Sequence, residues 1–429
     1  MPFDKPQTRN PWAWVTTLYF AQGIPYVVAM TVSVIMYKRL GMSNTDIALY
    51  TSWLYLPWVI KPLWSPFVDM FRTKRFWIVT LQLIIGAALA SVALTIPLPN
   101  FFRYTLAIFW LMAFGSATHD IAADGFYMLG LPQHQQAAFV GVRSTFYRFA
   151  MLTGQGLLVV LAGTIETRSG GNIPFAWSVT FAVLAVLFLL FFVYHKFILP
   201  YPPTDKPTLS TGSQGVLQEF IRTFALFFKK KRILATLAFL LFYRFAEAQL
   251  VKLVSPFLLD ARDKGGLGLT TSEVGIVYGT VGIIALTLGG LLGGYVVSKK
   301  GLKFWLWIMV CSIHLPDAMF VYLSQAQPTN FILISLAVSI EQFGYGFGFT
   351  AYMLYMIMVS EGEHKTAHYA ICTGFMALGM MVPGMFSGAI QDLVGYQHFF
   401  LWVILSTIPG FAVAALVKVD PEFGKKKEQ

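Results

Sequence analysis

The chain has 429 residues, 56% of them hydrophobic and 12% charged, with a mean hydropathy of +0.64. Soluble domains carry about 25% charged residues, so an ordinary soluble protein is excluded, and length becomes a count of membrane spans of roughly 20 apolar residues each. The net charge of +11 gathers in particular loops between apolar stretches, which is the orientation signal of a membrane protein rather than a nucleic-acid surface.

In chain order, MPFDKPQTRNPWAW is short and mixed in charge. No small-residue cleavage site parts it from the first apolar stretch, so no removable signal peptide is expected. Spans are predicted over 12–37, 47–68, 76–97, 104–130, 137–165 and 174–198. A loop rich in Pro, Ser and Gly follows at 199–232, with an amphipathic stretch ending in Lys229-Lys230-Lys231-Arg232. That basic end suits an interfacial helix near anionic lipid headgroups. Six more spans are predicted over 233–259, 272–297, 303–324, 330–359, 366–394 and 398–418. Cys311 and Cys372 both fall in spans, which suggests neither a disulfide framework nor a metal site.

The two halves repeat at an offset of about 228 residues. Ser43-Asn44-Thr45-Asp46 and Thr270-Thr271-Ser272-Glu273 each place a carboxylate three residues after a hydroxyl, the helix-capping pattern. Arg75-Phe76-Trp77 matches Lys303-Phe304-Trp305, and Phe20-Ala21-Gln22 matches Phe245-Ala246-Glu247. Three matches in order predict an all-α integral membrane protein of twelve transmembrane helices in two six-helix bundles, 1–198 and 233–429, joined by a cytoplasmic linker at 199–232. This is the pattern of the major facilitator fold, with a site at mid-membrane. Of the 31 Lys and Arg, 20 lie at the termini and in loops after even-numbered spans, and six in loops after odd-numbered ones. Both termini are therefore expected in the cytoplasm.

Charges inside spans cost about 2.5–3.5 kcal/mol each even on insertion scales, so they mark candidate chemistry. Asp120 and Asp124 share one helix face and suit proton uptake and release. Arg143 and Arg148, always charged, need carboxylates or an anionic ligand. Arg244 and Glu247 are three apart and could pair within their helix, which leaves Lys252 as a candidate for a substrate carboxylate. Glu341 precedes a glycine-rich run, Gly344-Tyr345-Gly346-Phe347-Gly348, which either bends a gating helix or lets backbones pack closely. Asp317 follows Pro316 at a candidate kink. His119, His314 and His368 read as hydrogen-bonded core residues. Tyr26, Tyr147 and Tyr243 lie near charges and could stack on a sugar ring. No nucleophile elbow, zinc-ligand spacing or P-loop appears, so neither an enzyme nor a cofactor is expected.

Phe20-Ala21-Gln22-Gly23-Ile24-Pro25, Lys61-Pro62-Leu63-Trp64-Ser65-Pro66-Phe67-Val68-Asp69 and His119-Asp120-Ile121-Ala122-Ala123-Asp124, with Tyr147-Arg148, Tyr243-Arg244, Glu247 and Glu341, resemble the AmpG family of muropeptide permeases within the major facilitator superfamily. The resemblance covers nearly all twelve spans. It implies proton-driven import, into the cytoplasm, of anhydromuropeptides with an N-acetylglucosamine–anhydro-N-acetylmuramic acid core, and roles for Lys61, Asp120, Asp124, Arg148, Arg244 and Glu247. His119 stands where the family usually has glutamine. Asp69, Arg72 and Arg75 keep the aspartate and basic pair of the superfamily's gating loop without its glycines. The expected proton-coupling residues are thus Asp120, Asp124, Glu247 and Glu341. The expected substrate contacts are Gln22, Tyr26, Lys61, Tyr147, Arg148, Tyr243, Arg244, Gln249 and Lys252. Amino-sugar substrate, protons and membrane lipid are the expected partners of a monomer in the inner membrane. The alternatives are transport of another glycan or of an acyl-coenzyme A, which needs several cations for its phosphates, and a non-transporting membrane sensor or enzyme.

Overall fold

The computed structural model describes residues 9–207, 213–362 and 364–425, apart from the side chains of Asp69, Gln133, Ala137, 213–217, 219 and 220. Among these residues the regular structure is entirely helical. Helix α1 (Pro11–Arg39) starts where Asn10 accepts the Trp12 N–H and Pro11 supplies a preset φ. Pro25 removes a donor, and the helix loosens into a π segment at Val28–Val32. α2 (Asn44–Trp53) and α3 (Leu56–Phe71) form the second span in two pieces. α4 (Lys74–Thr95), α5 (Phe101–Gly130) and α6 (Gln133–Met151, continuing through a π segment at Leu152–Leu157 to Arg168) follow, then α7 (Ile173–Ile198) and α8 (Ser213–Phe228). α9 (Ile233–Phe242) and α10 (Phe245–Leu259) make the next span, broken at Tyr243-Arg244. α11 (Thr271–Lys300), α12 (Leu302–His314), α13 (Ala318–Ala326), α14 (Phe331–Ser360), α15 (Lys365–Leu405) and α16 (Ile408–Leu416) complete the chain.

Among the described residues, ten helical stretches are long and apolar enough to cross a membrane. One of them, Lys365–Leu416, bends at Gly395 (φ 74°, ψ 165°), a conformation open to glycine, and so carries two spans. With the two-piece α2–α3 span the expected twelve are accounted for. The repeated capping motifs form as the sequence implies. Ser43 caps α2, and Thr270 and Glu273 cap α11 reciprocally.

The chain divides into two compact units, Met1–Val32 with Ile60–Phe220, and Ser33–Val59 with Ile221–Gln429. The first packs Trp14, Leu18, Ile78, Ala122 and Phe126 into one buried cluster. The second is cored by an aromatic stack in which Tyr243 lies 5.2 Å from Tyr352 and Phe239 lies 4.5 Å from Tyr355. The glycine run of α14 serves close packing. Cβ atoms at Gly344 and Gly346 would fall 2.2 and 2.0 Å from the Ser312 and Leu286 carbonyl oxygens, and α14 is continuous through them. Apolar side chains such as Leu94, Leu234, Ile332 and Leu393 stand exposed on the outside, as lipid contact requires.

Candidate functional site

In the first unit, uninterrupted α5 sets Asp120 and Asp124 one turn apart, as predicted. Each has its own cation. Lys61, from proline-containing α3, pairs with Asp120 Oδ2, and Gln22 Nε2 of α1 donates to Asp120 Oδ1. Arg143 of α6 reaches Asp124 Oδ1 at 3.3 Å, and the Tyr19 hydroxyl donates to the same oxygen at 2.9 Å. The Arg143 guanidinium also lies over the Tyr19 and Tyr127 rings, at 4.7 and 5.1 Å. Two carboxylates and two cations make an electrically balanced, half-buried quartet. Tyr26, Tyr147 and Arg148 are half-buried on α1 and α6. Arg143 bridges to Asp124.

Behind the quartet runs a buried polar chain that sequence reading missed. The Thr17 hydroxyl meets His195 Nε2 at 2.9 Å, His195 Nδ1 meets Gln82 Oε1 at 2.9 Å, and Gln82 Nε2 meets His119 Nε2 at 3.1 Å. His119 is thus a bonded core histidine. Its partners lie far off in sequence, so no local pattern announces them.

Of the gating residues, the Asp69 side chain lies outside the described residues. Arg72 sits over the Phe76 ring at 5.3 Å. Arg75 donates to the Lys196 carbonyl and covers the Tyr201 ring at 3.9 Å. Asp205 accepts the Lys74 and Arg75 backbone N–H groups at 2.7 and 3.0 Å, capping α4 from the linker.

In the second unit, the break at Tyr243-Arg244 changes the expected pairing. Arg244 stands at the N-cap of α10 with φ −108° and ψ 23°, and Glu247 lies three residues on; the two attract electrostatically but make no hydrogen bond among the described residues. Arg244 instead donates to the Tyr345 hydroxyl and lies over the Tyr345 and Phe349 rings, at 5.1 and 4.7 Å. The Tyr243 hydroxyl donates to the Gly348 carbonyl at 2.9 Å, inside the core. Gln249 accepts from Trp402 Nε1 at 2.7 Å. Buried Lys252 donates to the Thr51 hydroxyl at 3.0 Å and lies 5.2 Å from the Tyr55 ring centre.

Glu247, Asp317 and Glu341 converge. One carboxylate oxygen from each lies within 4.8 Å of the others, and all three residues are buried. Among the described residues, both oxygens of Glu247 and Asp317, and Oε1 of Glu341, have no hydrogen-bond partner. Gln342 Nε2 donates to the remaining Glu341 oxygen at 2.9 Å. The 3₁₀ turn Leu315–Asp317, started by Pro316, aims Asp317 at its partners. Three carboxylates so close in a low-dielectric interior cannot all carry charge without counter-charge.

The second unit also joins Ser33–Val59 to later segments. Lys38 Nζ pairs with Asp260 at 2.7 Å and donates to Asn44 Oδ1 at 2.8 Å. Asn44 Nδ2 reaches Gln391 Oε1 at 2.5 Å and the Tyr396 hydroxyl at 2.8 Å, and that hydroxyl donates to Asp260 at 2.6 Å. Asp392 accepts from the Thr45 backbone and hydroxyl at 3.1 and 2.6 Å.

A sequence model described as Major Facilitator Superfamily matches residues 15–361, and the chain belongs to that family of membrane transporters. Among its curated relatives is the "Putative transporter AmpG 4" of Rickettsia conorii, 25% identical over 410 residues, covering 92% of this chain and 94% of the relative. The "Anhydromuropeptide permease" of Escherichia coli (strain K12) is 24% identical over 433 residues, 98% and 82% of the two chains. A D-xylose-proton symporter structure superposes with a TM-score of 0.72 at 14% identity, covering 97% of this chain and 99% of the other. A mutant of the nucleoside transporter NupG gives 0.70 at 17% identity, over 94% and 99%. These two establish the fold.

Proposed function

We propose that the chain imports anhydromuropeptide or related amino-sugar products of cell-wall turnover across the inner membrane, by proton-coupled alternating access, with both termini in the cytoplasm. The observation that carries the reading is the likeness over 98% of the chain to a protein named anhydromuropeptide permease. Buried and half-buried cations fit a substrate bearing a lactyl or peptide carboxylate, with Arg148, Arg244 and Lys252 as its contacts. Gln22, Tyr26, Lys61, Tyr147, Tyr243 and Gln249 complete the proposed binding set.

The coupling proton is assigned to Glu247 and Glu341, with Asp317 as the third member. Asp120 and Asp124 are engaged by Lys61 and Arg143, and expose a proton-accepting carboxylate only when those pairs part. Residues 1–198 and 233–429 form the two bundles of this proposed transporter. The Lys38–Asp260–Tyr396–Asn44–Gln391 network acts as an extracytoplasmic latch. Asp69, Arg72 and Arg75 guard the cytoplasmic side.

The test is uptake of labelled anhydromuropeptide into proteoliposomes under an imposed pH gradient, acid outside. Accumulation against the substrate gradient, abolished by a protonophore, is expected. Accumulation of a neutral hexose or an acyl-coenzyme A instead of the muropeptide would reject the substrate assignment.

A further inference from the structure

A cavity of about 340 Å³ opens where α9 begins and where α14 and α16 end. Its lining includes four cations, Lys230, Lys231, Arg232 and Lys418, with the hydroxyls of Thr236 and Tyr355. Among the described residues no acidic side chain lines it. The volume lies at the low end of the roughly 300–1,000 Å³ usual for small-molecule sites.

The four cations are not equivalent. Lys230 Nζ donates to the Val359 carbonyl at 2.5 Å and the Glu361 carbonyl at 3.1 Å, closing the end of α14 and fixing one wall. Lys231, Arg232 and Lys418 have no ion-pair or side-chain hydrogen-bond partner among the described residues. Arg232 is also held at φ 60°, ψ 30°, a left-handed conformation that a residue with a side chain seldom adopts. Strain of this kind is retained where geometry is needed. It turns the chain from Lys231 directly into α9, whose first turn has no side-chain cap. The positive pole of a ten-residue helix therefore adds to the side-chain charges.

The surroundings belong to a membrane edge. Leu234, one residue into α9, is 79% exposed, and Ala235, Val359 and Val417 give the cavity an apolar floor beneath its cations. A ligand suited to it carries an anionic head above an apolar body, and basic pockets between spans take phospholipid heads for this reason.

We propose that this cavity binds a phosphate group, the headgroup phosphodiester of an anionic phospholipid, through Lys231, Arg232 and Lys418, with Lys230 as its structural wall. The bound lipid would tie the linker end of α8 to α9, α14 and α16.

The test uses the full-length protein, delipidated in detergent, with phosphatidylglycerol, phosphatidylcholine and inorganic phosphate as separate probes. Bound phosphatidylglycerol is read by native mass spectrometry, and phosphate binding by thermal protection. The wild type is expected to keep phosphatidylglycerol over phosphatidylcholine. The triple variant Lys231→Gln, Arg232→Gln, Lys418→Gln is expected to lose it on the order of 100-fold, at about 1 kcal/mol for each cation near a surface. Lys418→Gln alone, beyond the last helix, is expected to lose part of that affinity and so covers a folding failure of the triple. Lys299→Gln with Lys300→Gln, at another basic span end, should change nothing. Thermal protection by millimolar phosphate, absent in the triple variant and without selective lipid retention, would identify a soluble phosphate as the occupant. Equal retention of both lipids by wild type and variants, with no phosphate effect, would overturn the site.

Discussion

Lys252 carries its charge into the interior with a threonine hydroxyl and a tyrosine ring for company. A buried ion without a carboxylate is costly, so Lys252→Met is expected to leave thermal stability unchanged or raised. The same change should weaken an acidic muropeptide by about 1–3 kcal/mol and spare a neutral analogue, as isothermal titration would show. Equal loss for both would make the lysine structural. The acidic group yields a second expectation. Glu247→Gln with Glu341→Gln should abolish pH-driven accumulation in proteoliposomes while counterflow exchange persists. Asp124→Asn, which strands Arg143, should impair both modes. If the double Gln variant still concentrates substrate, the proton belongs to α5. Individual candidates such as Asp120, Asp124, Glu247 and Lys252 were legible because charge in an apolar span stands out. Their partners were not. The Arg244–Glu247 spacing assumed a continuous helix, and Asp317 joins Glu247 only through packing across 70 residues of chain.

Elements were read best where a local rule governs them. The hydroxyl-to-carboxylate spacing at Ser43 and Thr270 located two helix starts, since capping is satisfied within four residues. Less legible were the break inside the span at 233–259 and the π segments at Leu152–Leu157 and Gly275–Gly282, which answer to packing rather than composition. Close packing also underlies the proposed latch. A Cβ at Gly388 would come within 2.1 Å of the Asn44 carbonyl oxygen, so Gly388→Ala should drive α2 away from α15. Asp260→Asn removes the partner of a mostly buried Lys38 and should weaken the proposed latch by about 2–5 kcal/mol. Both are checked by disulfide trapping of a Thr45→Cys, Asp392→Cys pair. Slower trapping is expected in each variant, and an unchanged rate would remove the latch.

For the whole molecule, spans, repeat and family were all visible in the sequence, because apolar length and repeated motifs survive any rearrangement of contacts. Orientation rests on charge counting alone, 20 basic residues against six. A cysteine at exposed Thr204, in a background lacking Cys311 and Cys372, should resist an impermeant thiol reagent in intact cells and react after lysis. Ready labelling in intact cells would invert the topology.

The grouping of Ser33–Val59 with Ile221–Gln429 also sets a schedule. Asn44 leaves the ribosome 347 residues before Gln391, a wait of roughly 20–70 s at ordinary elongation rates of about 5–20 residues per second. Throughout that interval Asn44 and the broken second span lack their eventual neighbours on α15, and Lys38 waits 222 residues for Asp260. Nascent chains halted before α15 should therefore be the ones that quality-control proteases capture, and the exposed degron should map to this early segment rather than to the stalled end.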